Sequence, residues 1–500
     1  MKYRYIKTPL TISFNEIKSK KFSLSSSQYE QLILKNENVK PVRDFLSRTF
    51  KNSDKGKEVG SINYINTSKH FFMRTKALQE YSFIPEFDKE SLIPIRPQVF
   101  FDNQLKKGDI IISKDSNIGE VVILDQDYPN IMLSNALYKM PIIPKYHYYL
   151  FAFLKSDFFR EQLDIKVPKG STIRHAKTLF LDCLIPLPKQ NEEKYLSKIN
   201  WIVQSIMRKE KLIKEKFDKT LFFIEEELSK EKNFITNIFS TSLPKFKEIS
   251  LIARLDTGMY SKQFKKIIYN IENYTYGSKT IDELEFNLNR GQNLQVSSIG
   301  KSITSNISHQ GFYKLILPKY LSKYGTVNKV SYLGNKENLK VLKKGDLIFG
   351  AEGFEKGRSF IVLSDTEKTI TNIHGITLTQ MKNNSNNNNI EKCIFVKQFL
   401  DYFRYKGIID LLAAGGNGGS LAQTYWKYLK FPNFKDETIK HLANFYYCKN
   451  LNYSYNFTDL KELLIEDSDF EKKAGIANLA EAIQILKIEL QNILDEIINF

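Results

Sequence analysis

Apolar residues at Ile199, Ile202, Ile206, Ile213, Phe217, Leu221, Ile224 and Leu228 recur at helical spacing between Asn191 and Lys232, a stretch without Pro or Gly. This pattern predicts one long helix with a single apolar stripe. From Gly475 to Phe500, Ile476, Leu479, Ile483, Leu486, Leu490, Ile493 and Ile497 step by three and four, as the a/d seam of a coiled coil does. A lone stripe is satisfied by a helix packed on its own domain. Here the strict terminal seam and the Lys- and Glu-rich flanks predict two helices side by side, holding two globular domains apart. Ile199, Ile206, Ile213, Ile483, Leu486 and Leu490 are the expected residues of helix pairing or subunit docking.

Outside these helices the chain reads as short strands and turns mixed with a few helices, and it repeats. Leu105-Lys106-Lys107-Gly108-Asp109 precedes Ile110-Ile111-Ile112, and Leu342-Lys343-Lys344-Gly345-Asp346 precedes Leu347-Ile348-Phe349, an offset of 342 − 105 = 237. One such segment is only a turn feeding a strand, with Gly at positive φ and Asp bonding the turn backbone. The order of further matches carries more weight. Phe22-Ser23-Leu24 ahead of Tyr29 matches Ala253-Arg254-Leu255 ahead of Tyr260, and Arg48-Thr49 matches Arg290-Gly291. Val121 to Leu124 answers Phe360 to Leu363, and Lys169-Gly170-Ser171 before Leu184-Ile185-Pro186 answers Gly418-Gly419-Ser420 before Leu429-Lys430-Phe431-Pro432. The fold class expected is therefore α+β, with two similar mixed domains separated by a long antiparallel helix pair. The expected boundaries are 1–190 and 244–433 for the domains, 191–243 for the central spacer helix and 434–500 for the C-terminal helical region. The Asn-rich run Met381 to Asn389 reads as a surface loop, and Asn450 to Lys473 as an irregular passage.

The 500 residues suffice for two or three cores, and 42% hydrophobic with 13% aromatic content fits a folded protein. A formal net charge of +18 favours polyanionic partners, although Lys- and Asn-rich AT-biased composition contributes to it. Cys183, Cys393 and Cys448 are far apart, against a disulfide framework or zinc site and in keeping with a reducing compartment. The opening stretch lacks a signal-peptide core and no apolar run is long enough to span a bilayer, so a cytoplasmic protein without membrane partner is expected.

Two diverged copies, each closing with GS…IPLP or GS…FPNF and running into a long helix, resemble the DNA specificity subunit of type I restriction-modification systems. The likeness rests on LKKGDIIIS, LKKGDLIFGAEGFEKGRS, KGSTIRHAKTLFLDCLIPLPKQNEE and RGQNLQVSSIGKSITSN. It departs where the second copy ends in FPNFKDE and where the insert before the terminal helix is long. The resemblance implies two target recognition domains reading a bipartite site on double-stranded DNA, and helices that dock two methyltransferase subunits, with restriction subunits joining. It implies no cofactor here, S-adenosylmethionine belonging to the methyltransferase partners. A spacer of roughly 30 residues at about 1.5 Å each spans on the order of 45 Å, against about 34 to 36 Å per turn of B-DNA.

Base readout needs polar side chains on loops that reach a groove. Lys169, Gly170, Ser171, Thr172 and Arg174 are candidates in the first copy, and Asn417, Gly419, Ser420 and Gln423 in the second. The glycines permit close backbone approach to a phosphate, or simply a tight connection into the next strand. Arg290, Ser297 and Lys301 are further candidates, as contacts or as ordinary exposed loop. No nucleotide-binding loop and no NPPY-like methyltransferase motif is present, and the six histidines are scattered, so neither a catalytic nor a metal site is expected. A specificity chain of a related restriction or phage-defence complex, and a coiled-coil scaffold binding nucleic acid without sequence preference, stay open beside this reading.

Overall fold

The computed structural model describes residues 4–20, 22, 28–167, 177–230, 239, 241–381, 389–415, 418–455 and 460–500. Two compact units emerge, one of Met1–Lys211, Tyr453–Glu471 and Glu481–Phe500, the other of Leu212–Asn452 and Lys472–Ala480. The central helix is continuous over Glu192–Lys230, with Glu192 and Glu193 in its first turn, where the helix dipole favours them. At 1.5 Å per residue its 39 residues make a rod about 58 Å long. The division between units falls inside it, between Lys211 and Leu212.

The predicted stripe is buried along its whole length, Ile199, Ile202, Ile206 and Ile224 completely. In the first unit the terminal helix Ile476–Asn499 runs antiparallel to it: Tyr195 bonds Glu496 (2.6 Å), Lys198 bonds Glu489 (2.9 Å), and Glu210 lies 3.5 Å from Lys487. Ile483, Leu486 and Leu490 are likewise buried. In the second unit Phe217 of the same stripe lies edge-on to Tyr324 (5.4 Å), and beside the stripe the half-buried Phe223 meets His441 and Phe445.

The stripe is interrupted between Ile206 and Ile213, where Lys209 and Glu210 occupy core positions. Lys209, 0% exposed, is ion-paired with Asp467 and Glu471, and Asp467 also accepts from Ser205 (2.9 Å), Arg208 (2.7 Å) and Tyr453 (3.0 Å). Burial would raise the Asp467 carboxyl, but Lys209 and the other donors outweigh it and hold it below the usual range. Its carrier is a helix, Leu460–Lys473, where an irregular passage was expected. Acidic residues in a segment without periodicity gave no local sign of it; the buried Lys209 supplies the partner. Glu210 of the central helix accepts from the Phe83 and Ile84 backbone N–H groups (2.8 and 3.2 Å), tying that segment to Glu192–Lys230.

Each unit repeats one frame. Phe71–Met73 pairs antiparallel with Leu92–Pro94 and parallel with Ile131–Leu133; Tyr313–Leu315 pairs antiparallel with Ser331–Gly334 and parallel with Thr369–Ile370. Ile110–Ser113 lies between Val121–Ile123 and Leu137–Met140, as Leu347–Gly350 lies between Ser359–Ile361 and Gly375–Gln380, all antiparallel. Phe286–Arg290 extends the last sheet. Each copy closes with a clasp, Val39–Pro41 on Leu184–Pro186 and Ser278–Lys279 on Phe431–Pro432. The LKKGD turns agree bond for bond. Lys106 N–H donates to Asp109 (2.8 Å) and Lys343 N–H to Asp346 (2.7 Å), while Lys107 and Lys344 donate to Asp127 and Asp365. Gly108 and Gly345 sit at φ +90° and +95°.

Two matches need correction. Leu124 N–H donates to Asp109 O as Val362 N–H does to Asp346 O, so Val121 to Leu124 answers Ser359 to Val362, one residue before the Phe360 to Leu363 expected. Gly56 N–H donates to Leu137 O and Gly291 N–H to Gly375 O, and at both a Cβ would run into a carbonyl oxygen, of Ser134 (1.9 Å) or Asn372 (2.2 Å). Gly56 and Gly291 are therefore equivalent, at an offset of 291 − 56 = 235, and the counterpart of Arg290 is Lys55. Arg48 is instead a local residue, its Nη1 and Nη2 both donating to Asp54. The Asn-rich residues 382–388 lie outside the described residues, as do Ser23 and Leu24.

Replacing Asp467 with Ala leaves the buried Lys209 with Glu471 as its remaining carboxylate, and urea unfolding should show a loss of about 3 kcal/mol. The double replacement K209M with D467L should recover most of it; a single-variant loss within error of zero contradicts the proposed role. Burial pushes the Asp346 carboxyl up to about 6. Its stability contribution is thus fully present below about pH 4 and lost as the pH rises through about 6, amounting to about 3 kcal/mol. D346N should remove that fall from a pH series of unfolding midpoints, and an unchanged profile contradicts it.

Candidate nucleic-acid interface

Lys169, Gly170, Ser171, Thr172, Arg174 and Asn417 lie outside the described residues. Arg290, Ser297, Lys301, Gly419, Ser420 and Gln423 are described, all in the second unit.

The Gly-rich segment follows the buried helix Ile390–Tyr405 and the short helix Ile408–Leu412. Arg254, nearly buried and paired with Asp256, donates to the Leu412 carbonyl (2.6 Å) and so fixes where the segment starts. Ala414 and Ser420 exchange backbone hydrogen bonds (3.0 and 2.8 Å), closing a tight loop. Gly353 N–H then donates to Gly419 O (3.1 Å) and Leu421 N–H to Ala351 O (2.8 Å), stitching the loop to the turn that follows the strand Leu347–Gly350. Gly418 sits at φ +85°, and a Cβ there would lie 2.7 Å from the Gly353 carbonyl carbon and the Phe354 nitrogen. Its glycine is required by this approach of backbone to backbone.

Arg290 ends the strand Phe286–Arg290, and its Nη1 donates to Glu352 Oε1 (3.0 Å) and to the Ile373 carbonyl (3.2 Å). The other carboxylate oxygen meets His374 Nδ1 at 2.7 Å. Glu352 also forms a backbone bridge with Ser420. Burial alone would raise the Glu352 carboxyl, but His374 and Arg290 together hold it below its ordinary range. Arg290, Gly419 and Ser420 are thus gathered around one acidic residue, on three segments far apart in sequence. His374 and Glu352 were not anticipated: neither has a neighbour in the sequence that marks it, and the sheet alone brings them together.

Ser297 and Lys301 are exposed on the short helix Val296–Ile299 and the turn after it, anchored by Ile299 in a cluster with Leu315, Leu333 and Ile370. Among the described contacts none joins them to the Glu352 group. Gln423 opens the 3-10 helix Gln423–Tyr428, half-buried, with Trp426 packed edge-on to Phe349 (4.9 Å) beneath it. The surface so built offers a guanidinium, an imidazole, an amide, a hydroxyl and one carboxylate acceptor, the set that meets phosphates and base edges. Among the described residues no group of three His, Cys, Asp or Glu could hold a metal, and no helix is long and apolar enough to cross a membrane.

No family profile and no curated protein matches the chain. Solved structures do. The type I restriction-modification S subunit from M. genitalium aligns with 92% of this chain and 95% of its own, at 12% identity and a TM-score of 0.40. The HsdS subunit from Thermoanaerobacter tengcongensis aligns over 92% and 96%, at 12% identity and a TM-score of 0.27. A chain from a study of complex assembly and conformational transition of the type I restriction-modification system aligns over 92% and 98%, at the same identity and score. These are likenesses of whole chain to whole chain.

Replacing Gly418 with Ala should destabilise the second unit by about 1–3 kcal/mol, through strain at positive φ and collision with the 353–354 backbone. A thermal midpoint equal to wild type would contradict the close approach.

Proposed function

We propose that the chain is the DNA specificity subunit of a type I restriction-modification system. The observation that carries this is the internal duplication: one hydrogen-bonded frame built twice, down to the LKKGD turn bonds, with different residues hung on it. A protein reading one asymmetric, bipartite duplex needs two similar scaffolds presenting unlike contacts. Lys55 against Arg290 is one such difference on matched backbone. The charge of +18 suits a polyanionic ligand. The polar cluster around Glu352 supplies contacts that discriminate bases.

In this reading the chain is not itself catalytic. Two methyltransferase subunits bind it, holding S-adenosylmethionine and modifying an adenine flipped from the stack, and restriction subunits join that core in the cytoplasm. Ile199, Ile206, Ile213, Ile483, Leu486 and Leu490 are buried within the chain, so docking falls to the outward faces of the same helices, where Phe222 and Ile488 are exposed.

Selection from random duplexes by the purified chain tests the proposal directly. A split motif with two unlike halves is expected, and binding without sequence preference would favour a scaffold. Arg290→Ala should weaken binding to the selected duplex by about 1–3 kcal/mol while leaving random duplex nearly unaffected. Equal losses on both would make Arg290 a phosphate contact.

A further inference from the structure

Phe354 is 85% exposed at the tip of the turn stitched to the Gly-rich loop. Its surroundings are not those of a loose loop. Gly353 N–H is bonded to Gly419 O before it, and Gly357 N–H to Gly350 O (2.8 Å) after it. Lys356 Nζ reaches back to Gly418 O and to Asp410, both at 2.6 Å. Gly353 and Gly357 take positive φ, +83° and +84°, so the chain reverses sharply on either side of the ring. A large apolar side chain is thereby held out in water by a backbone fastened at both ends, two residues from Glu352 and its partners Arg290 and His374.

The first unit provides an internal comparison. Ser113 and Gly119 are the counterparts of Gly350 and Gly357, since Gly119 N–H donates to Ser113 O (2.8 Å) just as Gly357 does to Gly350. Between them that turn reads Lys114-Asp115-Ser116-Asn117-Ile118. It carries no aromatic, and its apolar Ile118 is half-buried. The frame does not call for an exposed ring at this place; the second copy has added one beside its polar cluster.

We propose that Phe354 is a base-contacting, specificity-determining residue, its ring pressed against a base of the half-site read by the second unit. An apolar ring beside fixed hydrogen-bonding groups is what base contact uses, by packing on a thymine methyl or by lying against a base face at an opened step. This rests on the DNA-reading function proposed above, and it adds a contact that charge and hydrogen bonding do not supply.

The test is selection from random duplexes by the full-length chain, wild type, F354A and F354W in parallel. Because the side chain is exposed, thermal midpoints should match, which removes misfolding as an explanation. F354A should lose base preference at one or two adjacent positions of one half of the motif and bind the wild-type duplex roughly 10-fold more weakly. F354W should keep the preference, and its fluorescence should change on adding that duplex. An F354A motif identical to wild type at every position, with unchanged affinity, overturns the inference while leaving the specificity function standing. A wild-type chain that enriches no motif overturns both.

Discussion

A 39-residue helix with an apolar stripe must bury that stripe along its full length, and everything else in this protein is arranged around how it does so. The stripe is not uniform. At Lys209 and Glu210 it becomes charged, and a charge taken out of water must be met by partners of opposite sign and by hydrogen bonds. Asp467 and Glu471 meet Lys209; the 83–84 backbone and Lys487 meet Glu210. These requirements are directional, where burial of Ile and Leu is not. They select one seating for the Leu460–Lys473 helix and fix the register of the terminal helix in the first unit.

The second organising feature is economy of frame. Two copies share strand order, parallel and antiparallel pairing, the clasp closing each domain, and the turn in which an aspartate caps the backbone of the lysine three residues earlier. Those bonds are local or lie inside one sheet, so they survive wide changes elsewhere. Between them the two copies differ where the frame imposes nothing: the residue at Lys55 and Arg290, and the turn at 114–118 against 351–356. Unlike contacts on like frames are what the proposed reading of an asymmetric duplex requires.

Within the second copy, the polar cluster is held by hydrogen bonds between segments far apart in sequence. Glu352 is bonded by Arg290 and His374, and the Gly-rich loop is bonded to the turn carrying Glu352. Glycine at 418 is needed by that packing. The described ends of that segment, Ala414 and 418–420, are thus held against the 351–354 turn.

By itself the sequence determined the two striped helices and the duplication, but not the helix Leu460–Lys473. The apolar stripe placed the long helix within a residue or two of Glu192–Lys230, and the last at Ile476–Asn499, because each depends on spacing within one segment; the expected spacer bound of 243 overran the helix, since 241–245 are not helical. The LKKGD turns were legible for the same reason. Tertiary structure decided what joins distant segments: that Lys209 finds Asp467 some 250 residues on, that Gly56 and not Arg48 marks the register with Gly291, and that Arg290, Glu352, His374 and Ser420 meet. No periodicity encodes these, since each is a pairing across a sheet or between helices whose partners are chosen by where the backbone brings them.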